Sequence, residues 1–69
     1  MNFSQALERI KWGQPMSRRA WGSVSTYVYR GNPPDASKLF LRSGGGASVW
    51  FPSSDDVMAD DWFDVVRID

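Results

Sequence analysis

Four aspartates crowd into the stretch WFPSSDDVMADDW, residues 50–62, between two tryptophans. Carboxylates at that density suggest three chemistries: a cation-binding loop, an acid–base pair, or the cap of a helix. A calcium loop needs the order D-x-[DN]-x-[DN]-G, which Asp55, Asp56, Asp60 and Asp61 do not follow. On a helix Asp56 and Asp60 would share a face, whereas Asp55 and Asp61 would not. Paired carboxylates can cleave glycosides, but nothing in the sequence selects a partner base or nucleophile. Ser53 followed by Asp56 has the spacing of a capping box, [ST]-x-x-[DE]. Aspartates in a first helical turn also face its positive end. Residues 53–60 therefore read as a capped helical turn, with Val57 and Met58 turned toward the core. No metal site is expected.

The remaining side chains narrow the chemistry further. The chain has no cysteine and no histidine, which excludes thiolate nucleophiles, His-based triads and the usual zinc ligands. No G-x-x-x-x-G-K-[ST] loop is present. Gly44, Gly45 and Gly46 lie between two strand-like runs, so a hairpin turn is preferred to a phosphate-binding nest. The residues point to binding rather than catalysis, and to no cofactor. Trp12, Trp21, Trp50 and Trp62 are either core or stacking surfaces. Trp21 and Trp50 suit stacking best, because each ends a strand-like run beside a backbone breaker, Gly22 or Pro52. Stacking a base on an aromatic ring is worth about 1–3 kcal/mol. Trp62 sits in an apolar run and reads as core. Arg18, three residues before Trp21, is placed to grip a phosphate while the ring holds the base. Arg18 and Arg19 are adjacent on the expected strand, so their side chains point to opposite faces.

These residues need a scaffold. Asn2 and Gln5 form a second capping pair, and Phe3, Ala6, Leu7 and Ile10 repeat at i, i+3, i+4, i+7. That predicts a helix over residues 3–12, closed by Gly13 and Pro15. Strands are predicted over 16–21, 24–30, 37–42 and 47–51, and a last strand over 61–68. The fold class is α+β: a small antiparallel sheet, an N-terminal amphipathic helix and a short helical turn before the last strand.

A chain of 69 residues is expected to form a single domain, 1–69. At that size only about 60% of the unfolded surface is buried. With ten aromatic residues and no disulfide to help, self-association is expected. Residues 1–54 carry seven cations against two carboxylates, and residues 55–69 carry six carboxylates against one cation. The two parts are thus +5 and −5, within a net charge of zero. Such asymmetry suits self-complementarity or a small anion. No dense basic stripe exists for a long nucleic acid. No apolar run approaches the roughly 20 residues of a membrane span, and no leader pattern opens the chain. A cytoplasmic protein with no membrane partner is expected.

Two motifs resemble a known family. MNFSQALERIKWGQPMSRRAW is similar to an opening of N-F-x-x-A-L, a helix ending in glycine, then R-x-x-W. WFPSSDDVMADDW is similar to a close of W-x-P-S-x-x-D-[hydrophobic]-x-A-x-D-W, with Trp50, Pro52, Ser53, Asp56, Val57, Ala59, Asp61 and Trp62 in register. The family is the second of the Thoeris anti-defence families, small phage and prophage proteins. The resemblance implies a sponge for a cyclic ADP-ribose isomer made by a bacterial TIR-domain protein, with cyclic dinucleotides as further ligands. It implies a homo-oligomer, typically a tetramer, acting in the cytoplasm of the infected host. By motif position Trp21 and Trp50 would stack on the ligand. Arg18 would lie near phosphate or brace the pocket, and Ser53 and Asp56 would shape it. The chain departs from the family in placing Gly22 directly after Trp21 and in a short centre, residues 23–47. Two other functions fit the residues less well: a module that docks proteins through exposed tryptophans, and a metal-dependent phosphodiesterase.

Overall fold

The first helix forms where its caps place it. In the computed structural model, which describes residues 1–65, α1 spans Phe3–Lys11. Asn2 accepts from the Gln5 N–H at 2.9 Å, and the Gln5 side chain accepts from the Asn2 N–H at 3.0 Å. Two of the N–H groups that a helix start leaves unpaired are thereby satisfied. Ala6 and Ile10 are fully buried, and Phe3 and Leu7 partly so. At the other end Arg30 donates to the Lys11 carbonyl at 3.0 Å, a cation at the negative pole of the helix.

Five strands follow: β1 (Met16–Arg18), β2 (Tyr27–Arg30), β3 (Leu39–Ser43), β4 (Gly46–Val49) and, after a second helix, β5 (Trp62–Asp64). They form one antiparallel sheet in the order β4-β3-β2-β1-β5. The last element therefore closes beside the first strand. The glycine run makes the β3–β4 hairpin, with Ser43 opposite Gly46 and Gly44 at φ +61. The second helix, α2, spans Ser54–Met58.

Register decides which side chains share a face. Met16 faces Val28 and Asp64, and Arg18 faces Trp62. The Met16, Val28 and Trp62 side chains pack under Ala6 and Ile10 as the core. Arg18 shares their face, and α2 touches α1 there as well. The opposite face carries Tyr27, Tyr29, Phe40, Val49 and Phe63, with Tyr29 and Phe40 stacked at 5.8 Å.

The structure corrects two expectations. The strand predicted over 16–21 stops at Arg18, and Arg19–Trp21 form a 3-10 turn closed by Gly22 at φ +72. The cause is a rival set of acceptors: the Arg19 N–H donates to the Asp61 carbonyl at 3.2 Å, and the Ala20 N–H to the Asp61 carboxylate at 3.0 Å. Nor do Val57 and Met58 face the core; they are 46% and 83% exposed. A helix of five residues has room for one inward position, and Asp56, 8% exposed, takes it. The last strand is seen at 62–64, and its predicted continuation over 66–68 lies outside the described residues.

Candidate functional site

Trp62 is the hub. It is 2% exposed and closes the core at the end of the sheet where Arg18 and Trp62 pair. Three rings surround it. Trp21 stands edge-on at 5.4 Å and 80°, Trp50 edge-on at 6.1 Å and 79°, and Phe3 tilted at 5.7 Å. Perpendicular contacts place the positive ring edge over the negative face, a favoured aromatic geometry. The Trp62 indole N–H donates to the Asp56 carbonyl at 3.1 Å, so its polar atom is satisfied inside the core.

Trp21 and Trp50 are only partly buried. Each leans on Trp62 and keeps part of its ring open to solvent. Trp50 also lines a cleft of about 430 Å³ with Lys38, Leu39, Phe51 and Pro52. Its N–H donates to the Leu39 carbonyl at 2.8 Å, which extends the β3–β4 ladder and fixes the base of the ring. Trp21 is fixed by the turn before it. Trp12 lies apart, 81% exposed, its indole N–H directed at the Glu8 carboxylate at 3.3 Å.

Arg18, opposite Trp62 in the sheet, is the centre of a charged cluster. Arg18 Nη1 donates to Asp56 Oδ1 at 2.8 Å, and Arg18 Nε donates to Asp61 Oδ1 at 2.8 Å. The Arg18 side chain is only 14% exposed. Its guanidinium thus joins the two ends of the acidic segment to β1. Asp56 Oδ2 in turn accepts from the Ser53 N–H and hydroxyl, both at 3.0 Å, while the Asp56 N–H donates to Ser53 Oγ at 3.2 Å. The capping box expected from Ser53 and Asp56 is present in both directions.

The carboxylates respond to this setting. Burial alone would push the Asp56 carboxyl up, but the Ser53 N–H, the Arg18 guanidinium and the Ser53 hydroxyl together outweigh it and hold the group below the ordinary carboxylate value. The Arg18 hydrogen bond, assisted by the Ala20 N–H, holds Asp61 below it as well. Asp64 pairs with Arg9 at 3.0 Å, and among the described residues no three acidic side chains gather to hold a metal ion.

The sequence model of the Thoeris anti-defense 2-like domain (Tad2-like) matches residues 1–65. The chain belongs to this family. No curated protein matches it. In this Tad2-like domain the five residues expected at the site fall into two groups that meet at Trp62. Trp21 and Trp50 flank Trp62, and Arg18, Asp56 and Ser53 are bonded in series. The sequence reading missed Asp61 as a partner of Arg18. No local spacing marks it: Asp61 directly precedes Trp62, which comes to lie opposite Arg18 only when β5 pairs with β1.

The cap can be tested by itself. Ser53→Ala removes the acceptor for the Asp56 N–H and one donor to its carboxylate. A loss of about 0.5–2 kcal/mol in unfolding free energy is expected, measured by urea denaturation. An unchanged midpoint would show that the cap does not hold this turn.

Proposed function

We propose that this Tad2-like domain sequesters a cyclic nucleotide immune signal, a cyclic ADP-ribose isomer or a cyclic dinucleotide, without cleaving it. The observation that carries this reading is the pair of partly open indoles, Trp21 and Trp50, braced edge-on against Trp62. Such rings offer rigid surfaces for a base, at little entropic cost because the core already orders them. A sponge needs affinity and no acid, base or nucleophile, and the Asp56 and Asp61 carboxylates are engaged by Arg18. Membership of a Thoeris anti-defence family supports the same reading. Self-association, as a tetramer, belongs to this proposal. The sheet face away from the helices, with Tyr29, Phe40, Phe63 and Val49, offers apolar surface for a second copy to cover. The site of action is the bacterial cytoplasm, where the signal is made.

Melting with and without the cyclic ADP-ribose isomer from a TIR-domain enzyme tests the proposal. At ligand about 100 times Kd the folded state gains about 2.7 kcal/mol. For a domain of this size that raises Tm by roughly 10–20 °C. Nucleotide recovered intact after denaturing the complex supports sequestration; a hydrolysed product would instead show an enzyme. Trp21→Ala and Trp50→Ala should each weaken binding about tenfold or more, given 1–3 kcal/mol per stacked base, with the oligomer still assembled. Parent-like affinity in both would remove the stacking assignment.

A second reading has its own observation. Trp12 and Phe51 are each 81% exposed, an arrangement that suits docking onto another protein. No shift in Tm with any cyclic nucleotide would favour that docking module.

A further inference from the structure

We infer that Asp61 is a positioning residue of the ligand site, setting the angle of the Trp21 ring by gripping the turn that carries it. This rests on the reading that Trp21 stacks on a ligand. Asp61 touches three consecutive residues before Trp21. Its Oδ1 accepts from Arg18 Nε at 2.8 Å, its carbonyl from the Arg19 N–H at 3.2 Å, and its Oδ2 from the Ala20 N–H at 3.0 Å. The Gly22 N–H then closes the turn onto the Arg19 carbonyl at 3.1 Å. The residue after Asp61 is Trp62, the ring on which Trp21 stands at 5.4 Å. One residue therefore fixes both members of the ring pair, Trp62 through the chain and Trp21 through the turn.

The grip also occupies Arg18: its Nε and Nη1 hydrogens face the Asp61 and Asp56 carboxylates rather than a ligand, which leaves Trp21 to receive an uncharged base or sugar face. A stacking ring must be held closely in place to be useful, and such holding falls to the neighbours of the residue that touches the ligand.

The test is Asp61→Ala in the full chain, with two readouts. The first needs no ligand. Indoles in close edge-to-face contact couple their transitions and give a paired band in circular dichroism. Trp21→Phe defines the share of that signal owed to Trp21. Asp61→Ala is expected to lose most of that share. Asp64→Ala, which removes the Arg9 ion pair three residues further along the chain, should keep it. The second readout is affinity for the TIR-derived cyclic ADP-ribose isomer, expected to fall about tenfold in Asp61→Ala and to stay at the parent value in Asp64→Ala. If Asp61→Ala does not fold, Asp61→Asn, which keeps the volume and one acceptor, takes its place with the same losses at smaller size. A full Trp21 signal, or parent affinity, in a folded Asp61 variant overturns the inference. Should the parent itself fail to bind the probe, the functional reading falls, and the dichroism still decides the role of Asp61.

Discussion

Trp62→Ala is expected to abolish the cooperative unfolding transition of the domain. Replacing a buried tryptophan by alanine costs about 3–5 kcal/mol, the lost transfer energy plus the cavity left behind. A domain of this length holds roughly 4–10 kcal/mol in all. The site gives the loss little chance to be small. Trp62 is 2% exposed and in ring contact with Phe3, Trp21 and Trp50, which come from three separate segments. Its indole N–H also donates to the Asp56 carbonyl at 3.1 Å, and truncation leaves that acceptor with the Ala59 N–H alone, at 3.4 Å. Trp12→Ala is the control. Trp12 is 81% exposed, and its removal should change stability by no more than about 0.5 kcal/mol. Urea titrations followed by circular dichroism compare the two. A parent-like midpoint for Trp62→Ala would mean that the rings around it are held by something else, and the structural basis of the proposed site would go with it.

What could be seen in the sequence, and what could not, divides by distance along the chain. Both capping boxes bond residues three apart, Asn2 with Gln5 and Ser53 with Asp56. Their spacing is the interaction, so a linear pattern shows it. The same holds for the helical period of Phe3, Ala6, Leu7 and Ile10, and for the glycines that turn β3 into β4. Trp62 as core was also legible, since its run is apolar. The Arg18 contacts reach 38 and 43 residues along the chain, and no local pattern encodes them. Contacts of similar range turned the expected strand into a 3-10 turn, because Asp61 offers Arg19 and Ala20 acceptors where a neighbouring strand would otherwise serve. The error at Val57 and Met58 has the same root. Apolar character suggested an inward face, but successive helix positions differ by about 100°, and the guanidinium had already drawn Asp56 inward. The five candidate residues were found by type and motif. Their mutual arrangement was not, for it follows from β5 returning beside β1.

Arg18→Ala should destabilise the domain in a way that depends on pH, and the sign follows from the carboxylates. In the parent Asp56 and Asp61 both sit below the ordinary carboxylate value of 3.8 in the folded state. A group of that kind contributes stability above its unfolded pKa and loses it as pH falls through the folded one. The parent therefore weakens from about pH 4 downward. Removing the guanidinium leaves two carboxylates close together without their shared cation, and like charges at short range move pKa values up. The variant is then worst at neutral pH, where both groups are charged, and recovers relative to the parent as acid neutralises them. At pH 7 the buried Asp56 oxygen that loses its donor costs about 1–3 kcal/mol. Arg9→Ala provides the comparison, because the Arg9–Asp64 pair is 53% and 35% exposed and should contribute no more than about 1 kcal/mol. Denaturation midpoints of parent and Arg18→Ala, taken from neutral pH down into the carboxylate range, should converge. Midpoints that stay a constant distance apart would assign the loss to the packing of the arginine stem and would remove the paired carboxylates as the reason this guanidinium is buried.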